Sequence, residues 1–451
     1  MNKIKTLGSL YINNYVKFLN KPLFYKTPTT YYTYNDLHRL ENKYAHLIAD
    51  RFKHPVRKKI ALILNNSIDW IAITQAAHKL DSTIIPINPK LNKQTQRHII
   101  HQVKPDLIFY QNDYDKIVQH KETDINLNSI NYKQIPDSFN YLNWDVTCED
   151  SNAYILFTSG TTSNPKGVVL THKNILANLE SIQKCFPNYQ LSPTDKYVSF
   201  LPWTHCYGLV CELKYMMTNG LSTYINKNPD NLITDFRTYK PELLCTVPKL
   251  LNKIYNKIHQ NEIYRSAISI CYNNKYYNRY FNNFFFGGNL KMVTVGGASI
   301  PEDVIEFYNK LGIQLYQGYG LTETSPMISL NYINNNNIGS VGKVLDCNEV
   351  YINEQNEIMV SGDNVFNGYY NQNNQNNQDI FEYINNKKYY RTGDSGRFDN
   401  EGYLYITGRI KELYKLENGK YIDPCYIEDR IQQFKGVEQV YVYGANRKYN
   451  Y

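Results

Sequence analysis

The sequence lacks closely spaced cysteine pairs and long apolar runs. Its eight cysteines include no Cys-x-x-Cys pair, which argues against a zinc site and against a disulfide framework. No run approaches the roughly 18 apolar residues of a membrane-spanning helix, and no apolar segment of signal-peptide length follows Met1–Lys5. We therefore expect an intracellular protein with reduced thiols, in the cytoplasm or in an organelle stroma or matrix. Peripheral membrane contact, and hence membrane association, stays open.

Two further absences narrow the range of ligands. The chain has no Gly-x-x-x-x-Gly-Lys-Ser/Thr spacing, so a Walker-type phosphate loop is not supported. Its basic residues form no dense stripe interleaved with aromatics, which leaves nucleic-acid binding with little support. The 49 basic and 41 acidic residues give a net charge of +8. That excess suits anionic partners in general and selects none of them.

The chain contains enough apolar residues for several folded units. At 451 residues it exceeds the usual size of a single domain, and two or three units are expected. The hydrophobic fraction of 42% and the aromatic fraction of 14% can supply their cores. We therefore expect a globular chain, with polar tracts such as 334–337 and 371–378 lying in loops.

Apolar strands alternate with helical patterns over most of the chain. A helix is predicted after the N-cap Thr33, since Leu37, Leu40 and Tyr44 recur at helical spacing. Strand and helix patterns then follow in turn, which predicts an α/β fold of doubly wound, mostly parallel sheets with ligands at their carboxyl edges. Short alternating strands from about 340 to 408 predict a smaller β-rich subdomain. The predicted strands are 60–64, 83–87, 107–110, 243–247 and 292–295, and the predicted helices are 67–80, 94–103, 249–258 and 302–311.

The segment from Thr158 to Gly167, TSGTTSNPKG, is the most informative part of the chain. It follows the apolar run 154–157 and combines hydroxyls, glycines and Lys166. Glycine allows the backbone to approach an anion, and hydroxyls and amides donate hydrogen bonds to phosphate oxygens. By itself the composition also fits a polar surface turn, and that alternative stays open on these residues alone.

Further motifs, spread in order across roughly three hundred residues, favour the phosphate-binding loop over the surface turn. The segment 158–174 resembles the phosphate-loop signature of the adenylate-forming superfamily, which includes the acyl-CoA synthetases. Further matching segments follow in the same order, and the last of them looks most like the long-chain fatty acyl-CoA synthetases. They are LPWTHCYG at 201–208, GGA at 296–298, GYGLTET at 318–324, YRTGD at 390–394 and GRIKEL at 408–413.

The resemblance implies a division into two parts. Residues 1–408 correspond to an AMP-binding domain that includes the β-rich subdomain, and a hinge at Lys411 leads into an α+β C-terminal lid, residues 409–451. This lid looks incomplete, since the family's late lysine lies beyond residue 451. We therefore expect weak adenylation, with thioester formation from preformed acyl-AMP less affected.

The resemblance also implies roles for individual residues around ATP and Mg²⁺. The loop residues and Lys166 bind the β- and γ-phosphates, Thr322 binds the α-phosphate, and Glu323 holds Mg²⁺. Gly296, Gly297 and Ala298 lie against one face of adenine, with Tyr319 stacked on the other beside Gly320. Asp394 accepts the ribose hydroxyls and Arg409 adds a donor. The loop residues concerned are Thr158, Ser159, Gly160, Thr161 and Thr162.

The segment around His205 is expected, by the same resemblance, to contact the acyl substrate. By resemblance His205 lies beside the acyl carboxylate, Lys411 is the hinge, and Lys415 faces the site in the thioester-forming state with CoA. No aspartate occurs in 203–209 to pair with a substrate ammonium, which favours a fatty acid over an amino acid. Two alternatives stay open: an acyl-AMP ligase that loads an acyl carrier protein, and a degenerate copy that binds ATP or acyl-AMP without efficient turnover.

Overall fold

Parallel strands form the centre of a computed structural model of the chain. The model describes residues 4–111, 124–127, 135, 148–158, 165–186, 195–261, 275–371 and 380–410, and short stretches between 414 and 443. The architecture is mixed α/β with several sheets, as the sequence predicts. The largest sheet has six strands in the order β6-β5-β3-β4-β7-β8, in which only β7 and β8 pair antiparallel. These strands are β3 (Lys59–Ile63), β4 (Thr83–Pro86), β5 (Leu107–Tyr110), β6 (Ile125–Asn126), β7 (Asn152–Thr158) and β8 (Lys166–Thr171).

A second sheet carries two of the predicted nucleotide motifs, at 296–298 and 318–324. Its order is β11-β12-β13-β14-β15, parallel through β13 and antiparallel afterwards. The carboxyl ends of β12 and β13 therefore lie at one edge, which is where α/β sheets bind ligands. The strands are β11 (Leu243–Thr246), β12 (Met292–Val295), β13 (Gln314–Gly320), β14 (Met327–Leu330) and β15 (Lys343–Val344).

Three smaller sheets complete the strand structure. A four-stranded sheet has the order β2-β1-β10-β9, and the β-rich subdomain pairs β16-β17-β19-β18 with β20 on β19. These strands are β1 (Pro22–Tyr25), β2 (Tyr31–Thr33), β9 (Lys196–Ser199), β10 (Ser222–Ile225), β16 (Asn348–Ile352), β17 (Glu357–Gly362), β18 (Phe381–Ile384), β19 (Lys387–Phe398) and β20 (Leu404–Arg409). A short pair follows, β21 (Tyr414–Lys415) with β22 (Tyr421–Ile422).

Helices cover these sheets, and their starts follow capping chemistry. The Thr33 hydroxyl accepts a hydrogen bond from the Asp36 amide, and the Asp36 carboxylate accepts one from the Thr33 amide, which starts the predicted helix where the sequence places it. The helices are α1 (Leu7–Phe18), α2 (Tyr34–Ala49), α3 (Ile68–Lys79), α4 (Lys93–Val103), α5 (His172–Cys185), α6 (Tyr215–Thr218), α7 (Leu232–Tyr239), α8 (Pro248–Gln260), α9 (Lys275–Phe286) and α10 (Glu302–Lys310). A π-helix spans Tyr207–Lys214.

The apolar core follows the two large sheets. One buried cluster joins α1, α2 and α3 to the six-stranded sheet and α5, and another lies between α7, α8, α10 and the second sheet. No helix in the described part of the chain is both long and apolar enough to span a bilayer. Within that part of the chain, none of the six cysteines forms a disulfide.

Candidate active site

The predicted phosphate loop joins two paired strands. Thr158 ends β7 and lies directly opposite Lys166, the first residue of β8, so the chain leaves and re-enters the sheet at one point. Both side chains are half-buried. Ser159, Gly160, Thr161 and Thr162 lie outside the described residues, as does Ser163, where the family usually has glycine. Lys166 is therefore held at the base of the loop by the strand pairing.

Glu323 lies in a single 3₁₀ turn, Thr322–Thr324, that follows β13. Its side chain is buried, and the Tyr369 hydroxyl donates a hydrogen bond to Oε1 at 2.7 Å. Burial raises the pKa of Glu323, while the Tyr369 hydrogen bond and the Lys166 charge oppose that rise. Thr322 precedes it and is half-buried. The structure thus brings Lys166 and Glu323, 157 positions apart in the chain, into one electrostatic environment.

The chain from Asp363 to Tyr370, which we call the bridging segment, connects these two residues. The Phe366 amide donates to the Glu323 carbonyl at 2.9 Å, and the Tyr370 amide donates to the Gly167 carbonyl at 2.7 Å. The Lys166 ammonium lies 5.2 Å from the centre of the Tyr369 ring. The sequence analysis missed this segment, because one tyrosine pair is inconspicuous in a chain with 43 tyrosines.

Asp394 is a buried carboxylate with donors on both oxygens. Arg409 Nε lies 3.1 Å from Oδ1, and the Tyr319 hydroxyl donates to Oδ2 at 2.7 Å. The strand register places Asp394 opposite Arg409 across β19 and β20, and Tyr319 reaches it from β13. All three residues were assigned to the nucleoside from the sequence, and the structure brings them together. The hydrogen bond from Tyr319 was not foreseen.

The glycine pair at the end of β12 leaves an open backbone surface. Gly297 has φ 85°, in the left-handed region that favours glycine, and an added Cβ would meet only Val247 at 3.9 Å. Gly297 and Ala298 are exposed, whereas Gly296 is buried. Gly320 ends the neighbouring strand β13 at the same edge of the sheet. A flat, side-chain-poor surface therefore lies beside the Asp394 group and fits the planar base assigned to it.

His205 stands on a tight loop that leads into the π-helix. Gly208 allows this loop to form, because an added Cβ would lie 2.5 Å from the Pro202 carbonyl oxygen. His205 retains an exposed side chain, and partial desolvation lowers its pKa. Because an ordinary histidine pKa is about 6.5, the imidazole is neutral near pH 7. Burial raises the pKa of the thiol of Cys206, the next residue, and the charge of Glu323 adds to that rise.

Glu212 anchors this loop from within the π-helix. Ser199 Oγ donates to Oε1, the Leu201 amide donates to Oε2 at 3.3 Å, and Trp203 Nε1 donates to Oε1 at 3.4 Å. Burial raises the pKa of Glu212 to about 8, against the opposing effect of these hydrogen bonds. A fully buried acid therefore ties the backbone before His205 to the helix after it.

An apolar cavity lies beside the carboxyl end of β12. Thr294 and Val295 line it next to Gly296, and the Tyr207 hydroxyl contacts the Thr294 carbonyl there at 3.2 Å. The strand rise of about 3.3 Å per residue puts Met292 about 10 Å from Val295. The remaining lining is also mostly apolar: Ile182, Phe186, Cys211, Tyr215, Met216, Leu243, Cys245, Met327 and Leu330.

The site contains one strong candidate ligand for a divalent cation. No cluster of three or more His, Cys, Asp or Glu side chains that could hold a metal occurs among the described residues. Mg²⁺ often uses only one or two protein carboxylates and completes its shell with water and phosphate oxygens. A single buried carboxylate, Glu323, beside Lys166 fits such a shared ion. Lys411 and the side chain of Lys415 lie outside the described residues.

Comparison with known proteins shows which family the chain matches. The family model described as "AMP-binding enzyme" matches residues 14–370. Long-chain-fatty-acid–CoA ligase 5 of Rattus norvegicus is 29% identical over 325 residues, covering 65% of this chain and 47% of that protein. Ligase 1 of Homo sapiens is 25% identical over 467 residues, covering 89% of this chain and 65% of that one. The chain thus spans about half the length of the first curated relatives it matches.

Solved structures show the same fold. The o-succinylbenzoate CoA synthetase of Bacillus subtilis, in complex with its acyl-adenylate intermediate, superposes with a TM-score of 0.76 at 22% identity. That match covers 97% of this chain and 85% of the synthetase. A fatty acyl CoA synthetase of Mycobacterium tuberculosis superposes with a TM-score of 0.73 at 22% identity, covering 98% of this chain and 86% of that one.

Proposed function

Because this chain belongs to the AMP-binding enzyme family, we propose that it joins a fatty acid to CoA at the expense of ATP. A carboxylate oxygen of the acid attacks the α-phosphorus, the bond from that phosphorus to the bridging oxygen breaks, and pyrophosphate leaves. The CoA thiolate then attacks the acyl carbon of the resulting acyl-AMP. The carbon–oxygen bond breaks, giving the thioester and AMP.

Anion binding is the part that the described residues support best. Lys166 at the base of the loop offers a cation to the departing phosphates, and Thr322 lies one residue before the buried Glu323. Glu323 would hold Mg²⁺, and the bound ion would supply positive charge to neutralise the phosphate oxygens. Asp394 presents its carboxylate to the ribose hydroxyls, with Tyr319 and Arg409 fixing its orientation. Preorganised charges of this kind supply a large part of catalysis in phosphate chemistry.

The observation that carries the proposal is the apolar cavity beginning beside Gly296. Tyr207 and Thr294 contact each other in its wall, and the remaining lining side chains are mostly apolar. In this proposal the hydrocarbon chain of the acid enters the cavity and its carboxylate faces the nucleotide. Each buried methylene contributes about 0.8 kcal/mol. This arrangement favours an acyl substrate over a charged amino acid.

Pyrophosphate release with Mg·ATP and fatty acids of increasing length tests the proposal. We expect release that requires a fatty acid, and a loss of about 10²- to 10³-fold in Lys166→Ala, because a cation aimed at developing negative charge is removed. Lys184→Ala is the matched control, since Lys184 is an exposed lysine paired with Asp346. Release that ignores the acid, or that both variants lower equally, would contradict the proposal. Adding CoA or an acyl carrier protein in parallel then identifies the acceptor.

A further inference from the structure

The bridging segment places one phenol between the candidate metal carboxylate and the base of the phosphate loop. Tyr369 donates from its hydroxyl to Glu323 Oε1 at 2.7 Å, and its ring lies 5.2 Å from the Lys166 ammonium. Its backbone pairs with Val168 in an antiparallel bridge. One side chain therefore contacts both charged groups, which come from different sheets.

The backbone around Tyr369 is fixed from several directions. Asn174 Nδ2, on α5, donates to the Asp363 and Val365 carbonyls at 2.7 and 3.0 Å. Asn364 Nδ2 donates to the Thr324 carbonyl at 2.6 Å, beside Glu323. Phe366 packs its ring 5.0 Å from that of Tyr369. The phenol is thus presented by a rigid support, which is what precise orientation of a carboxylate requires.

We propose that Tyr369 is a positioning residue for nucleotide binding: its hydrogen bond to Oε1 fixes the orientation of the Glu323 carboxylate that would hold Mg·ATP. Its ring face also holds the Lys166 ammonium against β8. Cation–π contacts of this kind are attractive within about 6 Å of the ring centre. The inference rests on the proposed function, because it assigns the coupled pair to nucleotide binding.

The charged and titratable groups around Glu323 determine what a pH measurement reports. They are Lys166 on β8, Asp394 and Tyr390 on β19, Cys206 before the π-helix, and Tyr369 itself. Lys166 and the Tyr369 hydroxyl favour the ionised carboxylate, whereas Asp394 and burial oppose it.

Tyr369→Phe removes the hydroxyl and keeps the ring. We expect Mg·ATP, titrated calorimetrically, to bind about tenfold more weakly, since a hydrogen bond to a charged group is lost. Tyr370→Phe is the matched control. The Tyr370 hydroxyl contacts Lys59 Nζ at 3.1 Å and the Val103 carbonyl at 3.4 Å, and no hydrogen bond to Glu323 is recorded for it.

A double-mutant cycle in the absence of ligand measures the Tyr369–Glu323 interaction separately from nucleotide binding. Unfolding midpoints of wild type, Tyr369→Phe, Glu323→Gln and the double variant, measured against pH, report the coupling alone. Non-additive midpoints together with weakened Mg·ATP binding support the proposal. Additive midpoints, or coupling with unchanged Mg·ATP binding, overturn it. If the wild-type chain is folded and its Tyr369 and Glu323 are coupled, but it binds no Mg·ATP, the proposed function is wrong. The role of Tyr369 in nucleotide binding is then wrong as well.

Discussion

At the scale of single residues, Glu212 shows how burial makes an acid depend on pH. Its pKa of about 8 in the folded chain lies above the ordinary value of 4.5. The folded state therefore keeps a proton that the unfolded state loses between these values. Stability from this group is fully present below pH 4.5 and is lost as the pH rises through about 8, with a slope of at most about 1.4 kcal/mol per pH unit.

Glu212→Gln removes this titration. We expect the unfolding free energy of wild type minus that of the variant to fall steadily from pH 5 to pH 8, as measured by denaturant unfolding at each pH. Glu306→Gln, at an exposed glutamate paired with Lys310, is the control and should give a difference that is nearly constant. A difference for Glu212→Gln that is equally flat would show that the buried carboxyl is ionised throughout.

Most charged residues of the candidate site were predicted from the sequence, but the residues that hydrogen-bond to them were not. Motif spacing identifies Lys166, Glu323, Asp394 and Arg409, since their order along the chain resembles that of a known family. The hydrogen bond from Tyr369 to Glu323 depends on tertiary packing over 46 positions, which no local pattern encodes. Residue types could not reveal it.

Asp81 has a backbone conformation that its residue type does not by itself predict. It adopts φ 51°, in the left-handed region. Aspartate tolerates that region better than most residues. Its Oδ2 also pairs at 2.9 Å with Nε of Arg57, which lies just before β3. A polar contact therefore accompanies the conformation that glycine adopts freely.

At the scale of elements, strand periodicity was predictable because burial follows it. Strands β3, β5, β11 and β12 lie within one residue of their predicted bounds, since buried parallel strands are short apolar runs between helices. The π-helix was not predicted. Its apolar pattern resembles that of an α-helix, and only the tertiary hydrogen bonds of Glu212 mark the region as unusual.

Strand β12 gives a matched test of the acyl cavity, because its neighbouring side chains face opposite ways. Met292 lines the cavity, whereas Val293 belongs to the other core cluster. Met292→Ala removes about three heavy atoms from the deep end, so we expect the preferred fatty acid to lengthen by about two carbons in the pyrophosphate assay. Val293→Ala should lower stability by about 0.5–1.5 kcal/mol or somewhat more without changing the length preference. Identical length profiles in the two variants would place the acyl chain elsewhere.

At the scale of the whole molecule, the candidate site joins segments that are remote in sequence. Lys166 belongs to the six-stranded sheet, Glu323 lies between β13 and β14 of the second sheet, and Asp394 lies in the β-rich subdomain. A ligand that contacts all three binds the folded chain and not the unfolded one. It therefore stabilises the assembly of these sheets by mass action, whatever its rate of turnover.

Mg·ATP at about one hundred times its dissociation constant should raise the free energy of unfolding by about 2.7 kcal/mol, seen as a higher unfolding midpoint. We expect the shift to shrink in Glu323→Gln at the same nucleotide concentration, because the carboxylate assigned to Mg²⁺ is neutralised. Glu349→Gln, at an exposed glutamate paired with Lys387, keeps the same change of net charge and should preserve the shift. ATP with a chelator should stabilise wild type less than Mg·ATP does. If nucleotide shifts the unfolding midpoint equally in both variants, with or without magnesium, then Glu323 does not take part in nucleotide binding.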